Sequence, residues 1–223
     1  MRTLLSTAIA ILFFARPVLG QETVASNPML SQPNIYLSLR SGYIFASLKD
    51  WAKQFNPEPP TTVMPLGLEI AYDFGTLFHV GGGYEYGFGK MVKVQSDPNI
   101  AEDEATYGFV YGTVKAGGMV ELGGDRFFLY GGVDLGSIKA TESVKGTNGA
   151  TIEAVGTTFA LRPKVGGLLF FRERWSMTFE LAYFVANVSD VKVLGQTLPN
   201  YSLNYSGLGL LLGISYHLPI ATN

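Results

Sequence analysis

The 223-residue sequence predicts an all-β chain, an eight-stranded antiparallel up-and-down barrel that crosses a membrane. Three observations predict it. Apolar residues alternate with glycine, small or polar residues through eight separate stretches, the period-two signature of strands with unlike faces. The connections between those stretches alternate long, short, long through the chain. The composition, with 27 glycines, 13% aromatic residues and 47% hydrophobic against 15% charged residues, favours strands and turns over helices.

The N-terminus is a separate element. Arg2 precedes an apolar run over residues 4–14, too short to span a bilayer as a helix, and Val18-Leu19-Gly20 offers compact residues at a cleavage point. Residues 1–20 therefore read as a cleaved secretory signal. No later stretch provides about 20 unbroken apolar residues, so a helical crossing is not expected. Removing the signal takes Arg2 and Arg16 from the 16 basic residues and leaves 14 against 18 acidic ones, a formal charge of −4. Nucleic acid, which needs a basic face, is not an expected partner. There is no cysteine, hence no disulfide framework, no thiolate metal site and no lipid-modified cysteine.

Residues 21–33 are a polar lead-in, and the barrel is expected over 34–218. The first strand, 34–48, sets Ile35, Leu37, Leu39, Tyr43 and Phe45 against Ser38, Arg40 and Gly42. The prolines of Asn56-Pro57-Glu58-Pro59-Pro60 make 49–62 a long loop. The second, 63–74, sets Leu66, Leu68, Ile70, Tyr72 and Phe74 against Gly67, Glu69 and Ala71, and Gly75-Thr76 turns the chain. The third, 77–89, sets Phe78, Val80, Tyr84, Tyr86 and Phe88 against His79, Gly81, Gly83, Glu85 and Gly87, before a polar loop over 90–105. The fourth, 106–122, sets Val110, Val114, Ala116 and Val120 against Thr113 and Lys115. Alternation is poor over 107–111, which suggests a β-bulge.

After the turn Gly123-Gly124-Asp125, the fifth strand, 127–138, sets Phe127, Leu129, Val133 and Leu135 against Gly132 and Asp134, with a loop over 139–154. The sixth, 155–171, sets Phe159, Leu161, Val165, Leu169 and Phe171 against Thr158, Arg162, Lys164 and Gly166, and Pro163 inside it is awkward for a ladder. A turn at 172–174 leads to the seventh, 175–188, where Met177, Phe179, Leu181, Tyr183 and Val185 oppose Ser176, Thr178, Glu180 and Ala182. A fourth loop over 189–200 precedes the closing strand, 201–218. There Leu208, Leu210, Leu212 and Ile214 oppose Gly207, Gly209, Gly213, Ser215 and His217. Residues 219–223 form a short tail.

Two patterns place the apolar face outside. Aromatic residues cluster near the short turns, at Tyr72, Phe74, Phe78, Phe127, Phe170, Phe171, Trp175 and Tyr216. They cluster again near the long loops, at Phe45, Tyr86, Phe88, Tyr107, Phe109, Phe159, Tyr183, Tyr201 and Tyr205. Two bands of amphipathic rings are the girdles of two membrane interfaces. The second pattern is charge. Arg40, Glu69, Glu85, Lys115, Asp134, Arg162, Lys164 and Glu180 all fall on the small, polar parity at similar heights. Facing lipid, each would cost a few kcal/mol, whereas in a narrow lumen the four bases and four acids can pair. A soluble lipocalin-like barrel is the alternative, with the apolar face inward and these charges outward.

With these features in place the chain resembles the small bacterial outer-membrane β-barrel superfamily, of the OmpA-like and OmpX-like kind. The resemblance extends to the closing strand. There Gly213 followed by Tyr216 and Leu218 resembles the C-terminal signal read by the barrel-insertion machinery. It implies an integral, porin-like protein of a Gram-negative cell envelope, with both termini in the periplasm, four external loops and outer-membrane lipids around it. It also implies a monomer.

Chemistry is not evident. The two histidines, His79 and His217, could meet only across the lumen floor, and no carboxylate or thiolate spacing would complete a metal site. The His-x-Ser pair of lipid A deacylases is absent, and no nucleophile with its base is evident. The glycine run over 81–89 lacks the helix and the GK[ST] ending of a phosphate loop. The expectation is therefore a non-enzymatic protein without catalytic, cofactor or metal residues, its lumen plugged by charge. Its loops would serve adhesion, surface interaction with an external ligand or host surface, or envelope integrity. A narrow channel or a conduit for small or hydrophobic molecules is the alternative, and a lipid-modifying enzyme is a more distant one.

Overall fold

The computed structural model describes residues 33–46, 62–74, 78–94, 103–122, 126–145, 151–198 and 202–220. The signal, most of the lead-in and the last three residues lie outside them. The strands are β1 (Asn34–Ala46), β2 (Thr62–Asp73), β3 (His79–Val94), β4 (Asp103–Glu121), β5 (Phe127–Lys145), β6 (Thr151–Arg172), β7 (Trp175–Phe184), β8 (Asn187–Val188), β9 (Lys192–Val193), β10 (Gln196–Thr197), β11 (Leu203–Asn204) and β12 (Gly207–Pro219). The eight long ones, β1–β7 and β12, make a closed antiparallel ring, because β12 pairs with both β1 and β7. Closure removes the free edges that an open sheet would present to lipid.

The sequence placed the strands but not all of their ends. The pairing of β5 with β6 continues to Lys145 and Thr151, and β3 with β4 to Val94 and Asp103, through residues expected to be loop. Beyond the membrane a strand needs no apolar outer face, so Lys139 and Ser143, on the outward parity, break the hydrophobic pattern without breaking the ladder. The connection expected over 189–200 also carries strands. Leu194 (φ 51°) and Gly195 (φ 81°) turn β9 into β10, with positive φ at both central positions, as in a type I′ hairpin. β9 pairs with β6 at Ala154 and Val155, covering the edge that β6 exposes where β7 stops.

The expected bulge over 107–111 is not there. The registers of β4 with β3 and with β5 run unbroken through it, and the β3–β4 irregularity falls between Val92 and Val94. The poor alternation has another cause: Phe109 and Tyr111 share the parity of Thr113 and are buried inside the barrel. Pro163 is accommodated by a gap. β6 and β7 pair from Lys164↔Ala182 toward the turn and again at the bridge Leu161↔Val185, but not between. Pro65 in β2 sits in a similar gap of the β1–β2 ladder, between Ser41↔Leu66 and Ile44↔Val63, where the Ser41 hydroxyl donates to the Pro65 carbonyl at 2.8 Å.

The outer surface is apolar. Leu68, Val114 and Phe159 are 67%, 65% and 66% exposed, whereas Arg162 is 1% exposed and Asp134 fully buried. That inside–outside assignment excludes the soluble alternative, since a continuous apolar belt of this kind is matched to lipid and not to water.

Candidate functional site

The lumen is the candidate site. Period-two geometry sends the residues of one parity inward from every strand. Arg40 on β1 lies at its centre. Its guanidinium is 3.1 Å from Glu69, 3.2 Å from Glu85, 3.6 Å from Asp134 and 3.4 Å from Glu180. Arg162 on β6 reaches Glu85 at 2.8 Å and Asp134 at 2.8 Å, and it donates through both Nε and Nη2 to the same Asp134 oxygen. Lys164 lies 3.0 Å from Asp134 and 3.7 Å from Glu180. Tyr36 donates to Glu69 at 2.7 Å. The structure thus brings together seven of the eight lumen charges named from the sequence, from β1, β2, β3, β5, β6 and β7. The side chain of Lys115 lies outside the described residues.

Glycines make the room. A Cβ at Gly67 would come within 3.2 Å of the Glu85 side chain and 3.5 Å of Arg40, and one at Gly213 would meet the Thr178 hydroxyl.

Toward the long connections the charges are covered by an apolar plug. Phe109, Tyr111, Phe184, Val188, Val191, Leu203 and Tyr205 are buried together. Phe184 stacks on Phe109 at 5.5 Å and meets Tyr111 edge-on at 5.1 Å, and the Arg162 guanidinium lies 5.3 Å from the Tyr111 ring centre, within cation–π range. The segment after β7 closes the mouth. Tyr205 donates its N–H to Ala186 at 2.9 Å, and β8 pairs with β11. Phe109 and Tyr205, read from the sequence as interface aromatics, are therefore interior. The signal was available in β4, where Phe109 has the parity of Thr113.

Glu142 belongs to this upper region. The outward positions of β5 are apolar from Phe127 to Leu135 and become polar and exposed at Ser137 and Lys139, so Glu142 lies beyond the membrane-spanning part. It is 1% exposed, and neither carboxylate oxygen has a hydrogen bond of good geometry. Burial raises its pKa from 4.5 to about 8, partly offset by the nearby Tyr205 side chain, so it is mostly protonated at neutral pH.

At the short-turn end Phe128, Phe170, Met119 and Leu168 form a second apolar cluster. Phe170, expected to face the membrane, is 2% exposed and packs on His217 at 4.8 Å, because it shares the inward parity of Arg162, Lys164 and Leu168 on β6. His217 makes a chain that sequence reasoning missed: Ser176 Oγ lies 2.8 Å from its Nε2, and Asn34 Oδ1 lies 3.1 Å from its Nδ1. An Nδ1–H donating to Asn34 leaves Nε2 to accept from Ser176. The order is that of a nucleophile, a base and its orienter. Ser176 is fully buried, however, and it is paired on both sides in the ladders, so its backbone supplies no oxyanion donor. The chain instead ties β7, β12 and β1 together at the closure.

The ring of Tyr36 lies against both His79, at 6.5 Å, and His217, at 5.5 Å. Among the described residues no His/Cys/Asp/Glu group has a metal-holding arrangement. Between the charges and this floor is a cavity of about 30 Å³ lined by Tyr36, Glu69, Asp73, His79, Lys164 and Glu180 among others, room for about two waters.

The other named aromatics lie at the short-turn rim. Phe74, Phe78, Phe127, Phe171 and Trp175 are exposed, with Tyr72 and Tyr216 half-buried. Tyr72 meets Phe74 at 4.4 Å and Trp175 meets Tyr216 at 4.9 Å. Phe45, Tyr86, Phe88, Phe159 and Tyr183 are exposed toward the other end, and the side chains of Tyr107 and Tyr201 lie outside the described residues. In β12, Gly213 faces Arg40 and Thr178, and Leu218 is 40% exposed.

The chain matches no family model and no curated protein. Among solved structures it is similar to the outer membrane protein OprG from Pseudomonas aeruginosa, with a TM-score of 0.52 at 12% identity over 85% of this chain and 97% of that one. It is also similar to Neisserial surface protein A, with a TM-score of 0.51 at 13% identity over 82% of this chain and 96% of that one.

Proposed function

We propose, from the fold it shares with the small outer-membrane β-barrels, that the chain is an integral outer-membrane protein that works as a closed, non-enzymatic scaffold, with its short turns in the periplasm and its long connections outward for adhesion, surface interaction or envelope integrity. The observation that carries this reading is the double closure of the lumen. A guanidinium–carboxylate cluster fills the middle, and the plug of Phe109, Tyr111, Phe184 and Tyr205 fills the outer mouth. Small barrels fill their interiors with side chains, and ions would have to displace both layers to pass. Binding then falls to the connections, which a rigid barrel holds in place.

Two measurements test the reading. Reconstituted in planar bilayers, the protein is expected to give no discrete conductance, and steady single-channel steps would favour the conduit instead. A deletion strain is expected to lose surface adhesion or envelope integrity. Unchanged adhesion, serum survival and permeability would remove the scaffold role.

A further inference from the structure

We propose that the short-turn rim of the barrel carries a binding site for the phosphate headgroup of an anionic phospholipid. This rests on the membrane placement proposed above. Arg126 immediately precedes β5, and Arg172 and Arg174 flank Glu173 at the turn from β6 to β7. All four line one open concavity of about 490 Å³, which Trp175 and Tyr216 complete. Three guanidiniums therefore face one carboxylate, on a chain whose overall formal charge is −2.

Backbone bonds hold the two turns in fixed relation. The Arg126 carbonyl accepts from the Phe170 N–H at 2.8 Å, and the Arg174 carbonyl accepts from the His217 N–H at 2.8 Å. The Arg172↔Trp175 pair closes a two-residue turn, and Trp175 pairs with Tyr216 across β7 and β12. Arg174 and Tyr216 line the concavity together with Arg126 and Arg172.

The chemistry fits a phosphate. Guanidinium N–H groups match phosphate oxygens as parallel pairs, and Trp and Tyr at this depth mark the headgroup level. Immediately toward the membrane the surface is apolar, with Phe127, Leu169, Phe171 and Leu218 each 38–45% exposed. A headgroup held by the arginines would thus lay its acyl chains on these side chains. The continuity of the basic site with a lipid-facing surface selects a phospholipid over a soluble anion.

The test is native mass spectrometry of the refolded full chain. It is released from nanodiscs of phosphatidylcholine doped with phosphatidylglycerol, with heat-modifiable gel migration read on each sample. The wild type is expected to retain one phosphatidylglycerol with a preference of about tenfold or more over the zwitterionic lipid. The triple variant Arg126→Gln, Arg172→Gln, Arg174→Gln is expected to lose that preference, the triple Arg→Lys variant to keep part of it, and the distant Lys139→Gln, Lys192→Gln pair to keep it whole. Folded wild-type barrel without preferential retention, or equal retention by the triple Gln variant, overturns the site. Displacement of the lipid by 10 mM inorganic phosphate alone overturns the lipid assignment in favour of a free-anion site. A chain that fails to insert or to show heat-modifiable migration refutes the membrane placement instead.

Discussion

Replacing Arg162 by Met tests the lumen cluster at its most buried cation. The guanidinium is 1% exposed and contacts Glu85 and Asp134 at 2.8 Å each. Removing one partner of a buried pair costs about 3–5 kcal/mol, because the other is left as an uncompensated charge. Here both carboxylates keep another cation: Glu85 has Arg40 at 3.2 Å, and Asp134 has Lys164 at 3.0 Å. The expected loss is therefore at the low end, about 3 kcal/mol. Met fills part of the volume and leaves Tyr111 and Phe184 their packing. The assay is denaturant unfolding of the refolded barrel in micelles, followed by tryptophan fluorescence and checked against heat-modifiable migration. Adding Glu85→Gln to Arg162→Met should recover part of the loss, giving a coupling of about 1–3 kcal/mol in the double-mutant cycle. A loss under about 1 kcal/mol with additive single mutants would mean that the cluster is solvated, and the reasoning would fail.

Glu142 supplies a pH signature. Its carboxyl is protonated in the fold up to about pH 8 but ionises near 4.5 when unfolded. The unfolded chain thus binds fewer protons between those values. Stability is present in full below about 4.5 and is lost as pH rises through about 8, by a few kcal/mol at about 1.4 kcal/mol per unit. Glu142→Gln should flatten the pH 5–9 stability profile, and an unchanged slope would count against the burial argument. Leu68→Arg, at a position 67% exposed to lipid, should cost about 2–4 kcal/mol if it lies near the bilayer midplane, and a neutral effect would dispute the orientation. His217→Ala breaks the link from Ser176 to Asn34 and should lower stability by about 1–3 kcal/mol; an unshifted unfolding midpoint would show the seam does not depend on it.

The ring was readable because lipid imposes a strict alternation on the sequence. Leu66, Leu68 and Ile70 face out while Gly67 and Glu69 face in, and few soluble strands are patterned so sharply. The same parity gave the lumen positions of Arg40, Asp134 and Glu180, but not who touches whom, since that depends on cross-barrel distances that no local pattern encodes. Legibility failed where lipid stops acting. The outer parts of β5 and β6 keep their pairing but lose the apolar face, so Glu142 looked like loop. Interior aromatics also misled: Phe170 and Phe109 are as apolar as belt residues, and only their parity distinguishes them. The Ser176–His217–Asn34 chain joins three strands at opposite ends of the sequence, and Asn34 carries no signature of its own.

The two proline gaps divide the wall unevenly. Between Pro65, where β1 loses two rungs with β2, and Pro163, where β6 loses two rungs with β7, lies a panel of three staves, β7, β12 and β1, knitted without interruption. The remaining five staves, β2 to β6, are consecutive in the chain. The barrel is in this sense two ribbons laced along two lines, one of them built from both ends of the polypeptide.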